Sequence, residues 1–74
     1  MSYKKNALPL REGKVNLVNG VVLGGGVYVC VDEGSLNIIW ASGGTDTIYC
    51  VAGDAYDFVE VTSVEVASGI FHRA

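Results

Sequence analysis

Few residues in this 74-residue chain combine reactive side chains with the spacing that a catalytic site requires. The single histidine, His72, is the third residue from the C-terminus, and a general base needs a titratable group held in a pocket. We expect His72 to be a surface or interface residue. Ser35, Ser42, Ser63 and Ser68 have no nearby acid-base partner pattern, and no Gly-x-Ser-x-Gly motif occurs. The sequence therefore predicts a protein that is not an enzyme and has no catalytic residues.

Metal and phosphate sites are equally poorly supported. Cys30 and Cys50 are twenty residues apart and lack the paired close spacings of structural zinc sites. Asp54 and Asp57 do not follow the spacing of a calcium loop, so a hydrated turn is the better interpretation. The glycines at 24–26 have no following lysine and precede a strand, whereas phosphate loops precede a helix. We expect no metal and no cofactor.

The two cysteines can form at most one disulfide bridge. Both lie within apolar runs, and a secreted domain of this size usually carries a denser disulfide framework. We therefore predict that Cys30 and Cys50 are free, buried thiols in a protein from a reducing compartment.

Charge is distributed unevenly along the chain. The first 14 residues carry a net charge of +3, whereas residues 15–72 contain seven acidic side chains and no lysine or arginine. The basic segment, residues 1–13, is either a solvated tail or an arm that docks on an acidic surface, such as a neighbouring copy. An acidic body repels phosphates, so nucleic acid is not an expected partner. No apolar run is long enough to span a membrane, so we expect no membrane partner either.

Turn residues separate short apolar stretches throughout residues 14–74, which is typical of a single all-β domain. Asn19-Gly20 predicts a type I′ hairpin turn between residues 14–18 and 21–23. The further predicted strands cover 27–31, 36–41, 47–51, 57–66 and a short terminal stretch through Ile70 and Phe71, with turns or loops at 32–34, 42–46 and 52–54. Residues 27–31 are apolar on both faces, which favours a central strand or one covered on both sides.

The strand predicted at 57–66 changes phase along its length. Val59 and Val61 share one face, but Val64 and Val66 fall on the opposite parity. A period of two cannot change in this way without an extra residue, so we predict a β-bulge or bend near Thr62 and Ser63. The bend would let one strand serve two packed sheets.

The chain is unusually apolar for its size, with a mean hydropathy of +0.36. Without lysine or arginine at 15–72, its edge strands lack the usual charged protection against edge-to-edge pairing. The simplest explanation is that other subunits cover an edge or a face, which also compensates for a small core. A closed barrel whose edges pair with each other is the alternative. The sequence thus predicts a small antiparallel β-sandwich or barrel with an extended N-terminal arm.

One stretch of about forty residues, 26–66, is similar to a known family. Its features are Gly-Val-Tyr-Val at 26–29, an acid-Gly turn, the strand at 36–41, Gly-Gly-Thr at 43–45, Ala-Gly-Asp at 52–54 and the closing Val-Glu-Val-Thr-Ser-Val-Glu-Val, which Ala-Ser-Gly follows at 67–69. This pattern resembles small β-structured virion proteins of tailed bacteriophages, of the head-spike-base or capsid-decoration type. The spike modules are followed by a receptor-binding or fibre domain, which we do not expect here because the sequence ends at Ala74, so decoration or cementing fits this length better.

The resemblance implies a structural virion component, assembled in the host cytoplasm, that binds the capsid or other virion proteins. We expect a homo-oligomer, with a trimer favoured. The predicted interface residues are Lys4, Lys5, Leu8, Leu10 and Arg11. The alternative is a stand-alone binding module, such as a tail or baseplate adaptor or a carbohydrate-binding β domain, with Trp40 and the tyrosines as a stacking surface. Burial of Trp40 beside Leu36 and Ile38 would favour the structural role, and exposure in a groove the binding module.

Overall fold

The structure, a computed structural model, describes residues 15–74, and strands are the only regular elements within that range. The strands are β1 (Val22–Leu23), β2 (Gly26–Trp40), β3 (Thr45–Cys50), β4 (Ala55–Phe58) and β5 (Val61–Arg73). All pairings are antiparallel. The predicted all-β class is confirmed.

The strands form one sheet in the order β1, β5, β2, β3, with β4 also paired to β2. β3 and β4 lie along the same side of β2 in one uninterrupted register. Gly34 pairs with Cys50, and the Cys30 amide then donates to the Asp54 carbonyl, which leaves three residues on each side between the two pairings. β2 is therefore one arm of a long hairpin whose other arm is β3 and β4 together.

This sheet folds over itself, because the two ends of β2 lie close together. β4 ends at Phe58, opposite Gly26, and β5 begins at Val61, opposite Trp40. Gly25, next to one end of β2, lies beside Phe58 and Val61: a Cβ at this position would be 2.8 Å from the Phe58 carbonyl oxygen. The result is a small two-layered β structure. Its sheet is not closed, since β1 and β3 are its edge strands and do not pair with each other.

The layers meet where β2 and β5 cross at Gly34 and Gly69. A Cβ at Gly34 would lie 2.0 Å from the Ser68 carbonyl oxygen, and Gly69 has a φ of +83°. The pairing register shifts on both sides of this crossing. The predicted turn at 32–34 is therefore wrong: the chain bends there within a single strand, because the missing side chains let the two backbones touch.

The predicted strand 57–66 is also wrong in its extent. It is divided at Val59 and Glu60, where Glu60 has a φ of 56° and its carbonyl accepts the Ala41 amide. Beyond the break, β5 continues to Arg73 and includes the predicted terminal strand. The predicted bulge is confirmed: Ile39 pairs with Ser63 and Trp40 with Val61, so Thr62 is the extra residue.

Asn19 and Gly20 form a turn but not a hairpin. The Val21 amide donates to the Val18 carbonyl, and Gly20 has a φ of 97°, but Asn19 does not have a positive φ. A positive φ at the second central residue alone corresponds to a type II turn, not the predicted type I′. The flanking residues pair with β5 and not with each other, since Leu17 bridges Phe71 and Val22 pairs with Glu65.

The core lies between the two layers. Its buried side chains are Leu17, Tyr28, Cys30, Leu36, Ile38, Cys50, Phe58, Val64, Val66 and Phe71. The Tyr28 hydroxyl donates to the Gly24 carbonyl, and the Arg73 guanidinium lies 5.6 Å from the centre of the Tyr28 ring. β2 is central, as predicted for 27–31, but its outer face is only partly covered and Val31 is exposed.

Candidate functional site

The outer edge of β3 is a free sheet edge among the described residues, since β3 pairs only with β2. The Trp40 amide donates to the Gly44 carbonyl, one step before the pair Ile39 and Thr45. Hydrogen-bonded and non-hydrogen-bonded pairs alternate in an antiparallel ladder. The backbone N–H and C=O groups of Asp46, Ile48 and Cys50 in β3 therefore face β2. Those of Thr45, Thr47 and Tyr49 face outward.

Both ends of this free edge are defined by local hydrogen bonds. The Gly43 amide donates to the Trp40 carbonyl and closes the turn before β3. After β3, the Val51 amide donates to the Tyr56 hydroxyl at 3.0 Å. Between them, Tyr49 is 81% exposed. The free edge is thus a short polar backbone surface with a large aromatic side chain beside it.

A cleft of about 490 Å³ lies on the outer face of the layer that contains β3. Its floor is a row of polar side chains across three strands: Thr47 Oγ1 donates to Asn37 Oδ1 at 2.8 Å, and Asn37 Nδ2 donates to Glu65 Oε1 at 3.3 Å. The partly apolar walls include Ile39 and Val22, which are 42% and 54% exposed. This combination can contact a ligand or a protein surface that has both polar and apolar groups.

Alternation along residues 36–41 puts Asn37 and Ile39 on the face opposite Leu36, but it does not identify this cleft. The burial pattern confirms the parity: Leu36 and Ile38 are fully buried, and Ile39 is exposed. Alternation within one strand gives its outward residues. The hydrogen-bonded row of Thr47, Asn37 and Glu65 depends on the order and register of three strands, and these cannot be predicted from the pattern within one strand.

Trp40 is half-buried and packs against the core. Its ring centre is 6.5 Å from that of Phe58, and its Nε1 donates to Asp46 Oδ2 at 2.7 Å. The indole therefore joins the two layers and fixes the start of β3. Trp40 therefore meets neither predicted extreme, which were burial beside Leu36 and Ile38 and exposure in a groove.

Cys30 and Cys50 are both free thiols and both buried, as predicted. Burial raises the pKa of the Cys30 thiol, and the nearby acids Asp32 and Asp54 raise it further. Burial also raises the pKa of Cys50, with a smaller contribution from Cys30. A raised pKa leaves little thiolate at neutral pH, so these side chains act as small core residues and not as nucleophiles.

The remaining candidates take part in local structure. His72 is half-buried and its Nε2 lies 2.8 Å from Asn16 Oδ1. Asp54 is in the turn before β4, and its carbonyl accepts the Cys30 amide. Within residues 15–74 no group of three or more histidine, cysteine or acidic side chains is arranged to hold a metal ion.

The predicted interface residues Lys4, Lys5, Leu8, Leu10 and Arg11 lie outside the described residues. The described range contains seven acidic side chains and a single lysine or arginine, Arg73. No helix in that range is long and apolar enough to cross a membrane.

Comparison with known proteins identifies no relative: no protein family, no curated protein and no solved structure matches the chain.

Proposed function

We propose that this protein is a structural virion component of a tailed bacteriophage, which decorates or cements the capsid, or forms a spike base, as a small homo-oligomer. The observation that carries the proposal is the sheet edge at β3, where Tyr49 and Val51 are 81% and 62% exposed and the strand itself contains no basic residue. Monomeric β proteins usually protect such edges with lysine, proline or covering segments.

Two further features support an assembly role. Exposed apolar side chains occur both in strands and between them, among them Val31 in β2 and Val15 and Val59 outside the strands. The buried core is small, with ten apolar side chains in the described range. A domain of this size gains stability from burial against other subunits. The resemblance of residues 26–66 to decoration and spike-base proteins points to a virion as the place of assembly.

Mass spectrometry of density-purified particles from the source tests this function. We expect the chain in the particles at a fixed ratio to the major capsid protein. A copy number close to that of the capsid protein supports decoration, and a far lower one supports a spike base. Absence from particles that contain the other structural proteins would refute the proposal.

A second candidate function is a stand-alone binding module that uses the cleft on the outer face. The hydrogen-bonded row of Thr47, Asn37 and Glu65 favours it, because carboxylate and amide groups are typical partners of sugar hydroxyls. A glycan array with the intact protein tests this candidate, with Asn37→Ala and Glu65→Gln as cleft variants and Thr62→Ala as a surface control. Binding lost only in the cleft variants would favour this function.

A further inference from the structure

We propose that the free edge of β3 pairs antiparallel with β3 of a second copy, around a two-fold axis at Thr47. This proposal deepens the proposed assembly role and rests on it only for the expectation that copies associate. It assigns the contact, its register and its symmetry.

The hydrogen-bonding groups of the edge determine the register. Thr45, Thr47 and Tyr49 have peptide groups that face away from β2, whereas the Val51 amide is already bound to the Tyr56 hydroxyl. Three outward residues with a spacing of two are symmetric about the middle one. An antiparallel partner that satisfies all three therefore places Thr47 opposite Thr47, and Tyr49 opposite Thr45, with about six hydrogen bonds between the copies.

The side chains fit the same register. Thr45, Thr47 and Tyr49 are on one face and all are exposed. Each Tyr49 ring would lie over Thr45 of the second copy, and the two Thr47 side chains would meet at the axis. Aromatic and threonine residues form favourable cross-strand pairs. Pairing would thus cover the most exposed large apolar side chain of the described range.

Charge also permits two acidic molecules to meet at this edge. β3 carries a single charged side chain, Asp46, whose carboxylate accepts the Trp40 indole N–H at 2.7 Å. In the proposed register Asp46 lies opposite Ile48, and no acid faces an acid directly. A second copy is therefore compatible with the edge although the described part of the chain is strongly acidic.

The contact has a characteristic strength and symmetry. A pairing limited to one short strand buries less than the 1,200 to 2,000 Å² of a standard stable interface, so dimerisation should depend on concentration. A two-fold contact produces dimers or even-numbered assemblies, in place of the trimer favoured from the sequence.

Cysteine cross-linking of the full-length chain tests the register. Residues of a hydrogen-bonded pair have Cα atoms about 5.5 Å apart, within the range that a disulfide spans. Under mild oxidation we expect Thr47→Cys to give a covalent dimer. Thr45→Cys alone should not, because its copies would be about 13 Å apart along the strand. The Thr45→Cys, Tyr49→Cys double variant should cross-link again. The native cysteines are 1% and 4% exposed and provide a low background.

Charged substitutions at Thr47, which lies on the proposed two-fold axis, test the contact without oxidation. Thr47→Lys and Thr47→Glu should each weaken self-association at least about tenfold, because each places like charges opposite each other. An equal mixture of the two should restore the dimer. Thr62→Lys, at the exposed bulge of β5, is the control and should dimerise normally. Analytical ultracentrifugation measures association, and circular dichroism checks that each variant is folded.

Several outcomes would overturn the proposal. One is a folded Thr47→Lys variant that associates like the natural chain; another is equal cross-linking of Thr45→Cys and Thr47→Cys. A full-length monomer that dimerises only after deletion of residues 1–14 would show that the chain's own N-terminal segment occupies the edge. None of these outcomes affects the mass spectrometry of purified particles, so the proposed virion role is tested independently of the β3 contact.

Discussion

Gly34 and Gly69 illustrate how single residues determine this fold. A Cβ at Gly34 would lie 2.0 Å from the Ser68 carbonyl oxygen, and at Gly69 the Cβ would be 2.6 Å from the Asp32 carbonyl oxygen and the φ is +83°. Because the obstructing atoms are backbone, we expect Gly34→Ala and Gly69→Ala each to lower the free energy of unfolding by about 3 kcal/mol. Urea denaturation measures this change.

Gly24→Ala is the matched control for these two substitutions. A Cβ at Gly24 meets no atom within 4 Å and its φ is not positive. Its effect should therefore be below about 1 kcal/mol. Equal stabilities of the three variants would contradict the assignment of Gly34 and Gly69 to the crossing of β2 and β5.

The thiols Cys30 and Cys50 predict how stability depends on pH. Burial raises both pKa values in the folded state, so above the ordinary thiol pKa the unfolded chain loses protons that the folded chain retains. The contribution of the two protonated thiols to the free energy of unfolding is fully present below about pH 9, and it is lost as the pH rises through their pKa values in the folded state. Denaturation midpoints should therefore fall as the pH is raised from about 8 to about 10, roughly one unit either side of the ordinary thiol pKa of 9.0. The Cys30→Ala, Cys50→Ala double variant should show a smaller fall, and an equal fall would contradict the prediction.

At the scale of elements, β2 separates a core face from an outer face within one strand. Leu36 is fully buried and Ile39, three residues later, is 42% exposed. We expect Leu36→Ala to cost about 2 to 5 kcal/mol, enough to unfold much of a small domain, and Ile39→Ala to cost under about 1 kcal/mol. Thermal denaturation of the two variants measures the difference. A similar loss for both would mean that the outer face is buried, as it would be in an oligomer that covers the cleft.

The features that were predicted correctly from the sequence are those defined by the alternation of side chains along a single strand. Alternation puts Leu36 and Ile38 on one face of β2, which is the buried one, and the phase change near Thr62 and Ser63 predicted the bulge. The errors occur where distant residues decide the conformation. Residues 32–34 have turn-forming types, but contact with Gly69 makes them a bend in β2. β4 ends at Phe58 because the chain turns at Glu60, whose φ is 56° and whose carbonyl accepts the amide of Ala41, just after β2.

The candidate site could not be predicted from local sequence patterns either. Sequence indicated that some edge lacked charged protection, but identifying that edge as β3 requires the strand order. The partner of Trp40 could not be predicted either, because the Asp46 carboxylate reaches the indole across the turn that joins β2 and β3. Local patterns thus gave the faces of strands, while the sheet topology gave the surface that can bind.

At the scale of the whole molecule, the N-terminal segment and the β domain have opposite charge. The first 14 residues carry +3, and the described residues contain seven acids and one arginine. We expect this segment to act as an arm that docks on a neighbouring subunit or on the capsid. Leu8 and Leu10 flank Pro9, which favours an extended path for Leu8 and leaves two apolar side chains to anchor in a partner's groove.

Apolar burial should contribute more to this anchoring than charge does. A buried leucine contributes about 1.5 to 3 kcal/mol, whereas an exposed ion pair contributes at most about 1 kcal/mol and weakens with salt. The Leu8→Ser, Leu10→Ser variant should therefore lose particle binding nearly as completely as a deletion of residues 1–10. The Lys4→Ala, Lys5→Ala variant should lose less, and its deficit should shrink as salt is raised. Light-scattering masses and co-sedimentation with particles measure the two kinds of association. A deletion variant that assembles and binds like the intact chain would show that the segment is only a solvated tail.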